Sequence, residues 1–145
     1  MDHVVYIDAR EKELEKLLSG TKSMIVRGAA GRKLPYGRVT AGDQLFFVQN
    51  DGECLVRARA QVVEVLNSEA LSEDQSRQLI EDHQPSLNLT AQQYKRWAGK
   101  RYLVLIRLGN ISPLEPFRVD RGAYGSMDDW LPVDDIERVT IPTAG

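Results

Sequence analysis

The sequence predicts an α+β fold, a small mixed β-barrel of about five or six strands with an early helix and a helical insertion. Three observations support this prediction. Several short apolar segments are separated by turn residues, one leucine-rich helical segment lies near the start, and a polar helical stretch interrupts the strands between residues 67 and 99. Strands and helices do not alternate regularly, so a doubly wound parallel sheet is not expected.

Size and composition restrict the class of protein. The 145 residues are 42% hydrophobic and 28% charged, which predicts one globular domain over residues 1–145. The longest apolar run, at residues 103–106, is far shorter than a bilayer span, so no membrane partner is expected. The chain has one cysteine, Cys54, and no visible secretory signal, which predicts a cytoplasmic location. No metal-ligand motif is present, and no cofactor is expected. No feature specifies an oligomeric state.

The first predicted elements are a strand and a helix. Apolar residues 4–7 form a short strand. Asp8 and Glu11 make a capping arrangement for a helix over residues 9–19, and Gly20 supplies the left-handed end.

The next elements are strands. Residues 23–26 are a strand candidate that leads into a glycine-rich loop, and residues 44–49 are another. The turn residues Asn50-Asp51-Gly52 predict a hairpin. The strand that follows, from residue 56, alternates small apolar residues with arginines and glutamine, so one face is expected to be buried.

The second half begins with helices. Ser72 and Gln75 resemble a capping box inside a helical stretch over residues 67–90, which Pro85 is expected to end. A second short helix begins at Thr90 and stops at Gly99. Its Tyr94 and Trp97 are predicted to pack in the core.

Residues 101–107 are the strongest central strand in the chain. Beyond Gly109, prolines and glycines favour loops, with residues 117–119 a possible short strand. The aromatic ring of Trp130 is expected either to pack at the barrel mouth or to form a wall of a ligand cleft.

The most distinctive segment for function is residues 20–42, which contains no acidic residue although the chain has a net charge of −2. Three glycines and a proline between residues 28 and 37 give it the composition of a shaped loop. Cationic side chains beside an aromatic ring favour a phosphate-bearing ligand, namely RNA or a nucleotide. The candidate ligand-binding residues are Lys22, Arg27, Arg32, Lys33, Tyr36 and Arg38. The other end of the chain is acidic, with Asp128, Asp129, Asp134, Asp135 and Glu137.

The order of features from Leu14 to Val65 resembles the ASCH domain, a branch of the PUA-like superfamily. Gly20, Lys22 and Arg27 match a motif of that family, and Ser23 stands where threonine is usual. The resemblance implies a small β-barrel with a cleft beside the Lys22–Arg27 strand, and ligands that are RNA or nucleotide-like.

Some members of that family hydrolyse an acyl group from a modified cytidine with a lysine, a threonine and a glutamate. Lys22 matches the lysine, but Ile25 takes the place of the threonine and offers no hydroxyl. The catalytic chemistry therefore does not transfer, and the sequence favours a binding module over an enzyme. One alternative is a hydrolase of a modified nucleoside with Lys22 as general base, assisted by Glu53 or Glu64. Another is a protein–protein interaction module in which the acidic tail of one copy meets the basic loop of a second.

Overall fold

A computed structural model describes residues 1–120 and 129–141. Within them the chain forms seven strands and three α-helices. In chain order these are β1 (Asp2–Ile7), α1 (Glu13–Ser19), β2 (Met24–Ala29), β3 (Gln44–Gln49), β4 (Leu55–Asn67), α2 (Glu73–Leu87), α3 (Ala91–Trp97), β5 (Tyr102–Val119), β6 (Trp130–Asp134) and β7 (Thr140–Ile141). Among the described helices, none has the length and apolar character needed to cross a bilayer.

The strands form one curled mixed sheet, and the predicted α+β barrel is confirmed. The strand order is β2-β5-β4-β3-β1-β6, and β7 pairs with the far end of β5. Strands β1 and β3 are parallel, while the other pairs are antiparallel. Strands β2 and β6 therefore lie at the two ends of the sheet order.

Apolar side chains cover both faces of the curled sheet. The interior is filled by alternate residues of the strands and by Leu14 and Leu17 of α1, which is the predicted apolar face of that helix. Trp130 is also in this interior cluster and is fully buried. On the outer face, α2 and α3 pack over β2 and β5 through residues such as Ile80 and Leu103. As predicted, Val56, Ala58, Ala60 and Val62 of β4 are buried.

The first helix starts later than predicted. Asp8 accepts hydrogen bonds from the backbone amides of Arg10 and Glu11, but it caps a turn rather than a helix. Lys12 then adopts a left-handed conformation with φ of 55°, which α-helical residues cannot have, and α1 begins only at Glu13.

Pro85 does not end the second helix, as the sequence had suggested. Helix α2 runs through it to Leu87 and ends at Asn88, which is left-handed with φ of 46°. The predicted capping boxes at Ser72 and Thr90 are both present.

The predicted loops after Gly109 are wrong within the described residues. Strand β5 continues to Val119, and its pairing with β4 shifts register at three places. Along the middle of this extension β5 pairs with β4 on one side, while β2 and β7 pair only with its two ends. Proline lacks an N–H donor and is tolerated on such an edge, which explains Pro113 and Pro116. Strand β6 likewise contains Pro132; the predicted turn glycines Gly122 and Gly125 lie outside the described residues.

Candidate functional site

The candidate site is a cleft where the two ends of the sheet approach each other. Arg27 of β2 donates one guanidinium hydrogen bond to the carbonyl of Val26 and another to the carbonyl of Tyr6 in β1, both at 2.8 Å. Its guanidinium carbon lies 5.6 Å from the ring centroid of Trp97 and 5.8 Å from that of Trp130. The Arg27 side chain therefore connects β2 to the opposite end of the sheet.

The cleft has a volume of about 500 Å³ and an unequal charge distribution. Its described lining includes four cationic side chains and one carboxylate, that of Asp129. The cationic residues are Arg27, Lys33, Arg96 and Lys100. Three aromatic residues, Tyr36, Trp97 and Tyr102, also line it.

Each aromatic side chain of the lining has a cation or a second ring against it. The Arg96 guanidinium lies 4.5 Å from the ring centroid of Trp97. Tyr36 and Tyr102 meet edge to face at 5.7 Å, and the Tyr36 hydroxyl donates to the carbonyl of Ser68. Arg32 lies 5.9 Å from the Tyr36 ring and 5.6 Å from the Tyr102 ring, so it contacts the rings without lining the cleft.

Gly28 permits the close packing that brings Lys100 to the cleft. A Cβ atom at this position would lie 2.8 Å from Cδ2 of Leu103 and 3.1 Å from Cβ of Lys100. Any larger residue would push β2 away from the connection between α3 and β5.

Asp129 forms loose ion pairs with two arginines. Its Oδ2 lies 3.6 Å from Nε of Arg27 and 3.7 Å from Nη2 of Arg96, distances longer than normal hydrogen bonds. The Nε of Arg27 is buried and donates no hydrogen bond to any residue that the structure describes. The Asp129 side chain itself is 43% exposed. Carboxylate and guanidinium charges thus meet here without forming a tight pair.

Lys22 lies in a different environment from Arg27. It is 1% exposed, and its ammonium donates to the carbonyl of Leu87 at the end of α2. Burial lowers the pKa of Lys22 to about 8, the charge of Arg27 acts in the same direction, and the charge of Glu13 opposes them. Lys22 therefore ties α2 to the segment before β2 and does not line the cleft.

A second polar cluster is enclosed beside the barrel interior. Trp130 donates from its indole N–H to Nδ1 of His3 at 3.1 Å, and Nε2 of His3 lies 2.8 Å from Oδ2 of Asp43. Asp43 also accepts from the backbone amide and hydroxyl of Thr40. Burial lowers the pKa of His3 despite the nearby Asp43 carboxylate, so the neutral ring is favoured. Burial alone raises the pKa of Asp43, but the hydrogen bonds from His3 and Thr40 outweigh it and lower that pKa.

The structure brings together only part of the predicted ligand set. Arg27, Lys33 and Tyr36 line the cleft, and Arg32 stacks on its aromatic residues. Lys22 does not lie with them: its ammonium is buried, donates to a helix carbonyl, and is not part of the cleft lining. Arg38 is exposed and is likewise not in the lining.

The carboxylates predicted to assist Lys22 are not in the cleft lining either. Glu53 is exposed and pairs with Arg57 at 3.1 Å, and Glu64 is exposed. The carboxylate whose charge acts on Lys22 is Glu13, which is buried and accepts a hydrogen bond from Gln93 at 2.7 Å. Ile25, which stands where members of the family have threonine, is fully buried in the barrel interior.

The interpretation of the basic segment missed half of the cationic lining. Residues 83–114 also contain no acidic residue, and they carry Lys95, Arg96, Lys100, Arg101 and Arg107. Trp97 does pack against the cluster under α2 and α3, as predicted, but it lines the cleft as well. This second acid-free stretch is the sequence signal that points to Arg96 and Lys100.

Comparison with solved structures shows an ASCH-like fold. The crystal structure of ASCH from Zymomonas mobilis superposes with a TM-score of 0.63 at 14% sequence identity, covering 88% of this chain and 82% of that chain. Crystal structures of two point mutants of the same protein give the same TM-score and identity, and cover 82% and 84% of their chains. No protein-family model matches this chain, and no curated protein sequence matches it significantly. The predicted ASCH resemblance is thereby confirmed for the fold.

Proposed function

We propose that this protein is an RNA- or nucleotide-binding module whose ligand lies in the cleft between the ends of the sheet. The observation that supports the proposal is the convergence of four cations and three aromatic rings, drawn from two distant acid-free segments, on one cavity of about 500 Å³. Cations neutralise phosphates, and exposed ring faces stack on bases at about 1–3 kcal/mol per base.

The residues have separate roles in this proposal. Lys33 and Lys100 are flexible point charges that meet backbone phosphates, whereas the Arg96 guanidinium offers a planar donor group. Tyr102 and Trp97 present ring surfaces for one or two bases. Arg32 extends the positive surface beyond the cleft, because it stacks on the same tyrosines.

Binding is proposed rather than catalysis. The hydrolase alternative needs Lys22 as a general base at the ligand, but its ammonium donates to the Leu87 carbonyl instead. The interaction-module alternative needs the acidic segment to meet the basic segment of another copy. Asp129 meets Arg27 within one chain, which weakens the motive for that alternative.

The test is a fluorescence-anisotropy titration with a labelled ten-nucleotide single-stranded RNA over a range of salt concentrations. If three or four phosphates are contacted, log affinity falls against log salt with a slope of about −2 to −3. The double variant Lys33→Ala with Lys100→Ala should bind at least about tenfold more weakly, and its slope should be shallower by about 1.4.

Arg57→Ala is the matched control, because Arg57 is a strand arginine outside the cleft whose partner is Glu53. It should leave RNA affinity within about twofold of the native protein. Binding that ignores salt, or that the Arg57 and lysine variants change equally, would contradict the proposal.

A further inference from the structure

We infer that Arg27 Nε and Arg96 form a phosphate subsite in this cleft, which the Asp129 carboxylate occupies when no ligand is bound. The inference rests on the proposed function and makes it more specific. It places one phosphate group of the RNA or nucleotide at these two guanidinium groups, and it makes Asp129 an internal competitor for that position.

The first support is the donor left over on Arg27. Two of its guanidinium nitrogens are fixed by the carbonyls of Val26 and Tyr6, both at 2.8 Å, and two tryptophan rings flank the group. Its position is therefore set without a ligand. The N–H on the third nitrogen, Nε, is buried and has no hydrogen-bond acceptor among the described residues. Buried donors are rarely left unsatisfied, and such an exception points to a ligand or a functional role.

The second support is the geometry of Asp129. One oxygen is shared between two guanidinium groups at 3.6 and 3.7 Å, so it neutralises their charge without satisfying their donors. The Asp129 side chain is 43% exposed, and the Arg96 side chain is 56% exposed. Both can rotate at small cost, since exposed ion pairs contribute little free energy.

A phosphate group suits this position better than a carboxylate. A terminal or inorganic phosphate carries more charge and more acceptor oxygens than a carboxylate, so separate oxygens can accept from Arg27 and Arg96 at hydrogen-bond distance. A backbone phosphodiester has the same single charge as a carboxylate. The carboxylate of Asp129 would move toward solvent as the phosphate enters. Its like charge then opposes the incoming anion, which lowers the affinity of the cleft for phosphate.

The test measures the dissociation constant of inorganic phosphate at constant ionic strength, by following the arginine Nε–H signals of ¹⁵N-labelled protein. Asp129→Asn should bind phosphate about three- to tenfold more tightly than the native protein. During the titration one arginine Nε–H signal should shift in the direction expected when an N–H group forms a new hydrogen bond. Arg96→Gln should weaken phosphate binding, and Asp129→Asn should give a smaller gain in that background.

Asp134→Asn is the matched control. Asp134 is the last residue of β6, the strand that Asp129 immediately precedes, but its carboxylate pairs with Arg138 at 3.8 Å and does not line the cleft. Its removal should leave phosphate binding unchanged. An unchanged or weaker phosphate affinity in Asp129→Asn would overturn the subsite.

Parallel titration with the ten-nucleotide RNA separates the two proposals. If RNA binds and responds to Lys33 and Lys100 but phosphate does not respond to Asp129, the subsite is wrong and the proposed function stands. If Asp129→Asn weakens RNA binding, Asp129 contacts the ligand directly, and the competitor role is overturned. If phosphate responds as expected while RNA does not bind, the subsite stands for a small anion and the RNA-binding proposal falls.

Discussion

Two polar clusters contact Trp130 and differ in how well their hydrogen-bonding groups are satisfied. In the first, His3 and Asp43 are joined at 2.8 Å, and the Trp130 indole N–H donates to Nδ1 of His3. In the second, the Arg27 guanidinium lies 5.8 Å from the Trp130 ring centroid, and Nε of Arg27 is 3.6 Å from the Asp129 carboxylate. We call these the closed cluster (His3, Asp43, Trp130) and the open cluster (Arg27, Arg96, Asp129).

This difference distinguishes polar groups that stabilise the fold from polar groups that keep hydrogen-bonding capacity for a ligand. In the closed cluster donors and acceptors match, and the His3 ring is fully buried. Removing one partner leaves the other unsatisfied in the interior, so such a cluster contributes to stability. In the open cluster the charges are close, but within residues 1–120 and 129–141 the Arg27 Nε donor has no acceptor, and the Arg96 and Asp129 side chains are exposed. Such a group has capacity left for a ligand.

The largest expected effect is on the closed cluster. Asp43→Ala removes the acceptor of His3 and of Thr40 and should lower the free energy of unfolding by about 3 kcal/mol. Urea denaturation monitored by circular dichroism measures this loss. RNA affinity of the folded protein should stay unchanged, because Asp43 does not line the cleft. A stability loss below about 1 kcal/mol would show that the closed cluster is not structural.

Lys22 gives the next effect, and its sign depends on pH. The pKa of Lys22 is about 8 in the fold, below its ordinary value of 10.5, so the unfolded chain holds the proton more tightly between those two values. Stability should therefore rise with pH over that window, by up to roughly 3 kcal/mol. Below pH 8 Lys22 is protonated in both the folded and the unfolded protein, so its titration no longer makes stability depend on pH.

The comparison variant for this prediction is Lys22→Met, which keeps much of the side-chain volume and loses the titrating group. The difference in unfolding free energy between the two proteins should change between pH 8 and pH 10. If the difference in unfolding free energy stays constant across that range, the pKa of Lys22 is the same in the folded and unfolded protein, and the prediction is wrong.

The smallest expected effect is on the open cluster. Asp129→Asn should change the free energy of unfolding by less than about 0.5 kcal/mol, because both contacts of the half-exposed carboxylate are longer than hydrogen bonds. Thermal unfolding of the variant and of the Asp134→Asn control should give midpoints within a few degrees of the native protein. A large loss of stability would remove the distinction between the clusters and assign Asp129 to the structure.

The sequence predicts the fold better than it predicts the site. Local signals found the hairpin at Asn50, the capping boxes at Ser72 and Thr90, and the buried face of β4. They failed where tertiary pairing overrides local preference. Strand β5 passes through Gly109 and two prolines because β4 pairs along its length and its other edge is partly unpaired.

The site was only half predictable for a related reason. Acid-free composition identified Arg27, Lys33 and Tyr36, since cationic loops are visible in one sequence. It cannot show that Lys22 is covered by a helix, because its partner Leu87 lies 65 residues away. In the sequence Asp129 is one member of an acidic segment, and nothing local reveals that its oxygen meets two arginines from β2 and α3.

The link that Arg27 makes between the two ends of the sheet has a consequence for how this protein can diverge. The same side chain holds the architecture together and borders the cavity, so the fold alone would select for it in a descendant that no longer bound the ligand proposed above. Retention of arginine at this position is therefore a poor marker of the proposed function. Arg96 and Lys100 border the cavity without joining strands, so under that proposal they are the positions at which its loss would first become visible among relatives.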